Sequence, residues 1–317
     1  MVDVLTFGET MLRLSPPGDD RLDTATSFDV AVGGAESNVA VAAARLGRTA
    51  GWLSRVPDSP MGRRVTDELR RHGVTPFVAT ETDGRQPTYY LESGDEPRGT
   101  DVYYDRGDGP LQTATPADLP SERVESATAV HTSGITPALS GTLADTTAAL
   151  LDRASEAGAT VSFDLNYRSK LWDTDAAGET VGPLLASVDI LFVPQRDAGP
   201  VLGIDGDATA VARTAAERYG IGTVVVTRGA DGALARTDGR TVEQETYPAG
   251  DAHAVGTGDA FVGGFLARYV ETGAVDEGLR WGAATAALKR SIPGDMALVT
   301  PSEVRDVVSG DATALDR

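Results

Sequence analysis

Cysteine is absent from this chain, which excludes disulfides, thiolate nucleophiles and cysteine metal sites together. Lysine is nearly absent too: only Lys170 and Lys289 occur, so arginine carries almost all the positive charge. The three histidines, His72, His131 and His253, are too scattered to suggest a metal cage or a triad. No apolar run approaches the roughly eighteen residues of a membrane-spanning helix. Residues 1–8 lack the basic stretch and apolar segment of a targeting peptide. There is no Gly-Lys pair, hence no P-loop, and neither a His-Arg-Asp nor an Asp-Phe-Gly triplet.

What the chain has in excess is acid. Acidic residues number 47 against 28 basic ones, a formal net charge of -19. Such a balance repels a phosphate backbone, so no nucleic-acid partner is expected. A local basic pocket for a phosphate ester or a sugar acid is still compatible with it. The expectation is a soluble, cytoplasmic protein without a membrane partner. An acidic, lysine-poor surface is also that of a halophilic protein, whose self-repulsion is screened by concentrated salt.

With 317 residues and 41% apolar content, the chain can form one large domain with an appendage, or two domains. Residues 2–7 read as a buried strand ended by Gly8, 28–32 as a short strand, and 39–47 as a helix stopped by Gly47. A strand at 49–56 and a helix at 62–72 follow. Residues 74–115 differ in character, with two aromatic strands, Thr88-Tyr89-Tyr90-Leu91-Glu92 and Thr100-Asp101-Val102-Tyr103-Tyr104, between Gly- and Pro-rich turns. They suggest a small antiparallel lid. From Ala127 onward strands (128–132, 160–165, 189–193, 223–227) alternate with helices (139–157, 176–186, 208–219). A hairpin at 232–236 and 241–247 and helices at 257–271, 276–291 and 301–308 complete the pattern. This is an α/β fold with a mainly parallel sheet covered on both faces.

Ligands of such sheets bind beyond the carboxyl ends of the strands. Four informative stretches fall there: Gly33-Gly34 to Asn38, Asp164-Leu165-Asn166-Tyr167-Arg168, Thr227-Arg228-Gly229-Ala230-Asp231-Gly232, and Gly256-Thr257-Gly258-Asp259. The last opens an apolar helical run. Two glycines at a helix start let the backbone turn tightly and leave N–H groups for an anion. Asp259, in the first turn, could take a proton from a hydroxyl attacking phosphorus. Each stretch has a plainer reading. Gly33-Gly34 could be a turn, the polar residues after Phe163 a loop, Gly229 and Gly232 a hairpin closure, and the lid tyrosines strand packing. Phe261 stands where a dinucleotide fingerprint needs a third glycine or alanine, which counts against a hydride-transfer enzyme.

Taken together, Gly33-Gly34-Ala35-Glu36-Ser37-Asn38-Val39-Ala40 with Arg45-Leu46-Gly47, and Gly256-Thr257-Gly258-Asp259-Ala260-Phe261 far downstream, resemble the two signatures of the PfkB, or ribokinase-type, carbohydrate kinases. Ser133-Gly134-Ile135-Thr136-Pro137 and Asp164-Leu165-Asn166-Tyr167-Arg168 with Leu171-Trp172 are most similar to the 2-keto-3-deoxygluconate kinases of that family. The resemblance implies a ribokinase-like three-layer αβα sandwich over residues 1–309, with lid segments inserted at about 12–32 and 76–113, and a tail at 310–317. It implies ATP-dependent phosphorylation of the terminal hydroxyl of 2-keto-3-deoxygluconate, in a modified Entner-Doudoroff type of sugar breakdown. The cofactors would be ATP and Mg2+, with a monovalent cation as a third.

The roles it implies are as follows. Asp259 is the catalytic base, and Gly256, Thr257 and Gly258 form the anion hole. Gly33, Gly34, Asn38, Tyr89, Tyr103, Arg106, Arg168 and Asp295 bind the sugar acid with Asp259. Asn166, Arg168, Thr227, Gly229, Asp231, Gly232, Gly256 and Gly258 bind ATP, and Asp197 serves the metal. Pro194 and Asp197 stand where the family has Asn and Glu, and His253 where it often has Asp, so metal and monovalent-cation handling depart from the pattern. Asp105 intervenes in the usual Tyr-Tyr-Arg of the lid, leaving open whether it or Arg106 faces the ligand. The exposed lid edge invites a homo-oligomer. Alternatives are a kinase of the same family for fructose, ribose or adenosine, and a non-catalytic sugar-binding protein on the same fold.

One prediction follows from the charge alone. The unfolding midpoint should rise from dilute buffer to molar KCl; a higher midpoint in dilute buffer would show that self-repulsion is not what salt relieves.

Overall fold

The computed structural model describes residues 2–18, 20–94, 97–107, 109–250 and 253–311. In chain order the first half contains β1 (Val2–Phe7), β2 (Met11–Ser15), β3 (Asp29–Gly33), α1 (Ala35–Arg45), β4 (Ala50–Pro57), α2 (Pro60–Arg71), β5 (Val74–Glu81), β6 (Thr88–Glu92), β7 (Asp101–Asp105), β8 (Ala127–Ser133), α3 (Ile135–Ala138) and α4 (Gly141–Glu156). The second half contains β9 (Thr160–Asp164), α5 (Thr174–Leu184), β10 (Ile190–Pro194), α6 (Gln195–Leu202), α7 (Ala208–Tyr219), β11 (Thr223–Thr227), β12 (Ala233–Thr237), β13 (Arg240–Gln244), α8 (Thr257–Thr272), α9 (Val275–Lys289) and α10 (Pro301–Ser309).

Nine strands form one sheet in the order β13-β12-β11-β10-β9-β8-β1-β4-β5. From β11 to β5 every pairing is parallel; β12 and β13 add an antiparallel edge. Strand alternation sorts side chains onto two faces. Leu5, Phe163, Leu191 and Val224 join a core with α4, α5, α6 and α7. Val4, Trp52, Phe192 and Val225 join a second core with α1, α2, α8 and α9. The result is the expected three-layer sandwich. Among the described residues no helix is long and apolar enough to cross a membrane.

The helices begin and end for local reasons. Ser59, Ser140, Asp173 and Asp207 cap α2, α4, α5 and α7 through their side chains, and Thr300 with Glu303 forms a capping box on α10. α1 and α8 start instead at Gly34 and Gly256 with no side-chain cap. Their first-turn amides are left for something else.

The lid is a separate four-stranded sheet, β3-β2-β6-β7. It differs from expectation in two respects. Its central pair, β2 with β6, is parallel, while β2–β3 and β6–β7 are antiparallel. The expected lid segment beginning near residue 76 also starts too early: β5 pairs with β4 from Ala50↔Val74 to Pro57↔Glu81 as the parallel edge of the main sheet. Pro76 is tolerated there because an edge strand needs only one side of its backbone paired. α6 escaped the sequence pattern because Gly199-Pro200 reads as a turn; burial of Ala198, Val201 and Leu202 overrides that signal. α10 closes at Gly310, and residues 312–317, the expected frayed tail, lie outside the described residues.

Two glycines of α5 should respond oppositely to alanine. A Cβ on Gly178 would lie 2.4 Å from the Val201 carbonyl oxygen, whereas nothing lies within 4 Å of one on Gly182. Gly182→Ala should stabilise by about 0.5–1 kcal/mol through helix propensity. Gly178→Ala should destabilise by about 1–3 kcal/mol through overpacking against backbone. Denaturant unfolding at matched KCl measures both signs.

Candidate active site

In a parallel sheet all carboxyl ends share one edge. Here the ends of β1, β8, β9, β10 and β11 meet the lid and the start of α8 around one cleft of about 1340 Å³. Strand order reverses beside β1, the usual position of a ligand crevice. The volume suits two ligands side by side rather than one small molecule.

At the centre stands Asp259, third residue of α8. Asn38 of α1 donates from Nδ2 to Asp259 Oδ2 at 2.7 Å, joining the first turns of the two glycine-started helices, which pack against each other. The carboxylate is partly open to the cleft and crowded elsewhere by protein. Burial pushes its pKa above the usual carboxylate range, while the Asn38 hydrogen bond and the Arg168 charge oppose the rise. Two glycines are required by backbone geometry here. Gly256 has φ +79, and a Cβ on it would sit 2.0 Å from the Asp295 carbonyl oxygen; one on Gly34 would sit 2.2 Å from that of Glu9. Both backbones therefore approach the neighbouring loops more closely than any side chain permits.

One part of the expected anion hole is corrected. The Thr257 N–H already donates to the Ala254 carbonyl at 3.2 Å, as does its hydroxyl at 2.7 Å. The first-turn donors facing no helical carbonyl are then the amides of Gly258 and Asp259.

Asp164, at the end of β9, lies near the same centre. Burial and the neighbouring Asp259 charge raise its pKa to about 7, against the lowering influence of Arg168. Asn166 adopts φ +38, folding its N–H back onto Asp164 Oδ1 at 3.1 Å and leaving its side chain among the cleft-lining groups. Glu36, fully buried in α1, was not expected in the site. Its Oε1 accepts from the Ser133 amide at 3.1 Å, the Ser133 hydroxyl at 2.6 Å and the Thr136 hydroxyl at 2.8 Å. It ties the first signature to the end of β8.

On the lid side, Tyr89 donates its hydroxyl to Asp295 Oδ1 at 2.5 Å, and Arg13 pairs with Asp295 Oδ2 at 2.8 Å. Asp295, in the segment after α9, is thus a buried node between the lid and the start of α8, its Cγ pressed against Gly33. Arg106 lines the cleft, 4.5 Å over the Tyr104 ring and 3.3 Å from Glu9. Burial lifts Glu9 to about 7, with Arg106 opposing. Asp105 turns outward to pair with Arg85, whereas Arg106 lines the cleft.

Tyr103, expected to bind sugar, is corrected. It is 55% exposed on the outer face of β7, with Lys170 Nζ 5.7 Å from its ring. Strand parity places Tyr104 inward instead, opposite Tyr89 in register and 6.1 Å from its ring. Alternation in the sequence put the two tyrosines on opposite faces without saying which faces inward; Glu9, directly beyond β1 at the ligand edge, was readable as a strand-end residue.

On the far side, Thr227, Gly229, Asp231 and Gly232 line the cleft. Gly232 has φ +80, and a Cβ there would meet the Gln244 carbonyl at 2.1 Å, so the loop lies flat on β13. Asp197 is corrected: it does not line the cleft and pairs with Arg196 at 3.5 Å. One residue earlier in α6, Arg196 takes the cleft-facing position. Among the described residues no three His, Asp or Glu side chains converge on a point where a metal ion could sit. Of the carboxylates that border the cleft, Asp164 and Asp259 are near enough for their charges to act on each other, a donor set that suits an ion arriving on phosphate oxygens and retaining water.

A lidded α/β sandwich with one hydrogen-bonded carboxylate at a glycine-opened helix is the architecture of a sugar kinase. The chain belongs to the pfkB family of carbohydrate kinases, whose model matches residues 1–302. It is 53% identical over 315 residues to a 2-dehydro-3-deoxygalactonokinase of Haloferax volcanii, covering 99% of each chain. It is 29% identical over 322 residues to a 2-dehydro-3-deoxygluconokinase of Bacillus subtilis, covering 98% of this chain and 97% of the relative. The crystal structure of a 2-dehydro-3-deoxygluconokinase from Thermotoga maritima superposes with a TM-score of 0.91 at 32% identity, covering 97% of this chain and 98% of that one.

The raised pKa of Asp164 has a signed consequence. Folded protein keeps this proton to about pH 7, whereas the unfolded chain releases it near 3.8. Between those values the folded state binds more protons, so Asp164 costs stability progressively as pH rises. Asp164→Asn should therefore gain on the unliganded wild type between pH 5 and pH 8, by roughly a few degrees in Tm. Parallel melts at both pH values in EDTA read the difference; no growth with pH would contradict the shared acidic centre.

Proposed function

We propose that this protein is an ATP-dependent kinase of 2-dehydro-3-deoxy sugar acids. The observation that carries the reading is Asp259, hydrogen-bonded by Asn38 and set beside the Gly256–Gly258 backbone at the mouth of α8. The nucleotide would lie along Thr227–Gly232, with the sugar acid beneath the lid between Tyr89, Tyr104 and Arg106. The terminal hydroxyl of the sugar acid attacks the γ-phosphorus as its proton passes to Asp259. The bond to the β-phosphate oxygen breaks and ADP leaves. Amides at the start of α8 stabilise the charge on the transferring group, which is where preorganised donors contribute most. Arg168, beside Asp259 and Asp164, supplies a planar two-pronged cation for the substrate carboxylate or the γ-phosphate.

Mg2+, when bound on the nucleotide, neutralises phosphate charge; Asp164 is the side chain that would hold it on the protein side. The activity belongs in the cytoplasm, and the exposed Phe28, Val30 and Tyr103 on the lid's outer surface support a homo-oligomer joined there.

The gluconate-derived acid was the expectation from motifs, whereas the relative at 53% identity is named for the galactonate-derived one. The two differ in one hydroxyl's orientation, so both belong in the same assay. ADP release in high KCl should be fast with one or both of these acids and slow with fructose, ribose or adenosine. Comparable rates with a neutral sugar would sink the sugar-acid reading. Asp259→Asn should lower kcat by roughly 10²–10⁴-fold with little change in either KM. In the wild type, kcat/KM should fall on the acid side with a midpoint above the ordinary carboxylate range, following the raised Asp259 pKa. Near-normal turnover in the variant counts against Asp259 as the base.

A further inference from the structure

Lys289 is the more unusual of the two lysines. It is the last residue of α9, and its side chain is 0% exposed. A buried ammonium persists only with close partners. Its Nζ donates to two backbone carbonyls, Ile292 at 3.0 Å and His253 at 3.4 Å. Its direct partners are thus carbonyl oxygens, the kind of donor that holds a small monovalent cation.

The two carbonyls belong to different segments. Residues 253–256 run into the glycine turn that opens α8; residues 292–295 run from α9 to Asp295. They meet directly behind the proposed phosphoryl site, where the Gly256 Cα approaches the Asp295 carbonyl too closely for any Cβ. Lys289 sits behind both and ties them together. Its charge also reaches the site: it favours the ionised forms of Asp259 and Asp295, while Arg13 is the cation opposing it and burial is the largest influence on the lysine itself.

We propose that Lys289 is a built-in monovalent cation that positions the loop entering α8 for phosphoryl transfer, so that no K+ or Na+ is needed at this point. It is a positioning residue; it lines no part of the cleft. The proposal rests on the kinase reading above. Removing the ammonium would leave carbonyl oxygens pointing into a hole of cation size, which a small cation from solution should refill.

The test is steady-state kinetics of the full chain, wild type and Lys289→Met, in KCl, NH4Cl or tetramethylammonium chloride at one high ionic strength. Wild type should show the same kcat in all three salts within about twofold. Lys289→Met should lose at least about tenfold in kcat with KM for the sugar acid within about threefold. K+ or NH4+ should restore a large part of that loss, and tetramethylammonium should not. A variant with wild-type kcat in tetramethylammonium overturns the proposal, as does a loss that neither small cation repairs. Should the variant fail to fold, the wild type decides: a kcat that needs K+ at matched ionic strength and unchanged unfolding midpoint also overturns it. Wild-type turnover of the sugar acid is read in the same experiment, so a failure of the kinase assignment is seen separately.

Discussion

The site depends on keeping a carboxylate in a crowded place without neutralising it. Asp259 is offered one hydrogen bond from Asn38, the charge of Arg168 nearby and the positive end of α8. Burial works against all three, so the group is held at a raised pKa, more basic than a solvent-exposed aspartate. Two helices from opposite ends of the chain supply the Asn38–Asp259 pair, and each begins at a glycine packed on a different loop, Gly34 on the Glu9 carbonyl and Gly256 on the Asp295 carbonyl. A side chain at Gly34 or Gly256 would push apart the segments that bring Asn38 and Asp259 to 2.7 Å.

The rest of the acidic cleft follows the same logic. Glu36 is satisfied on one oxygen by three donors, two from Ser133 at the end of β8 and one from Thr136 in α3, and acts as a strut. The Asp295 carboxylate is shared between Tyr89 and Arg13 of the lid while its carbonyl packs on Gly256, so the lid and the α8 entry loop meet at one residue. Glu9, buried, pairs with the partly buried Arg106, whose guanidinium lies over the Tyr104 ring. Truncating one member of such a pair is costly because the other stays buried alone. Each of these carboxylates has a donor or a cation beside it, yet Glu36 Oε2 and both oxygens of Glu9 accept no hydrogen bond among the described residues.

Much of this was legible in the sequence because the signals were periodic or steric. β–α alternation gave the sandwich, and the glycine pairs marked the two helix starts. What was hidden had physical reasons. β5 looked like lid because it carries Pro76, which an edge strand tolerates. Tyr103 and Tyr104 could not be told apart until the register with β6 placed one inward. Asp197 was displaced by a one-residue phase in α6, where Gly199-Pro200 obscured the helix altogether. Lys289 gave no local signal, since its partners are backbone carbonyls contributed by residues 253 and 292.

The central claim is geometric, that the carboxylate of Asp259 receives the proton of the attacking hydroxyl beside the amides of α8. A crystal structure with a non-hydrolysable ATP analogue and a 2-dehydro-3-deoxy sugar acid tests it most directly. The account predicts the acid's terminal hydroxyl within about 2.6–3.2 Å of Asp259 and in line with the γ-phosphate. A complex in which that hydroxyl points to another group, with Asp259 still bound only to Asn38, would contradict it.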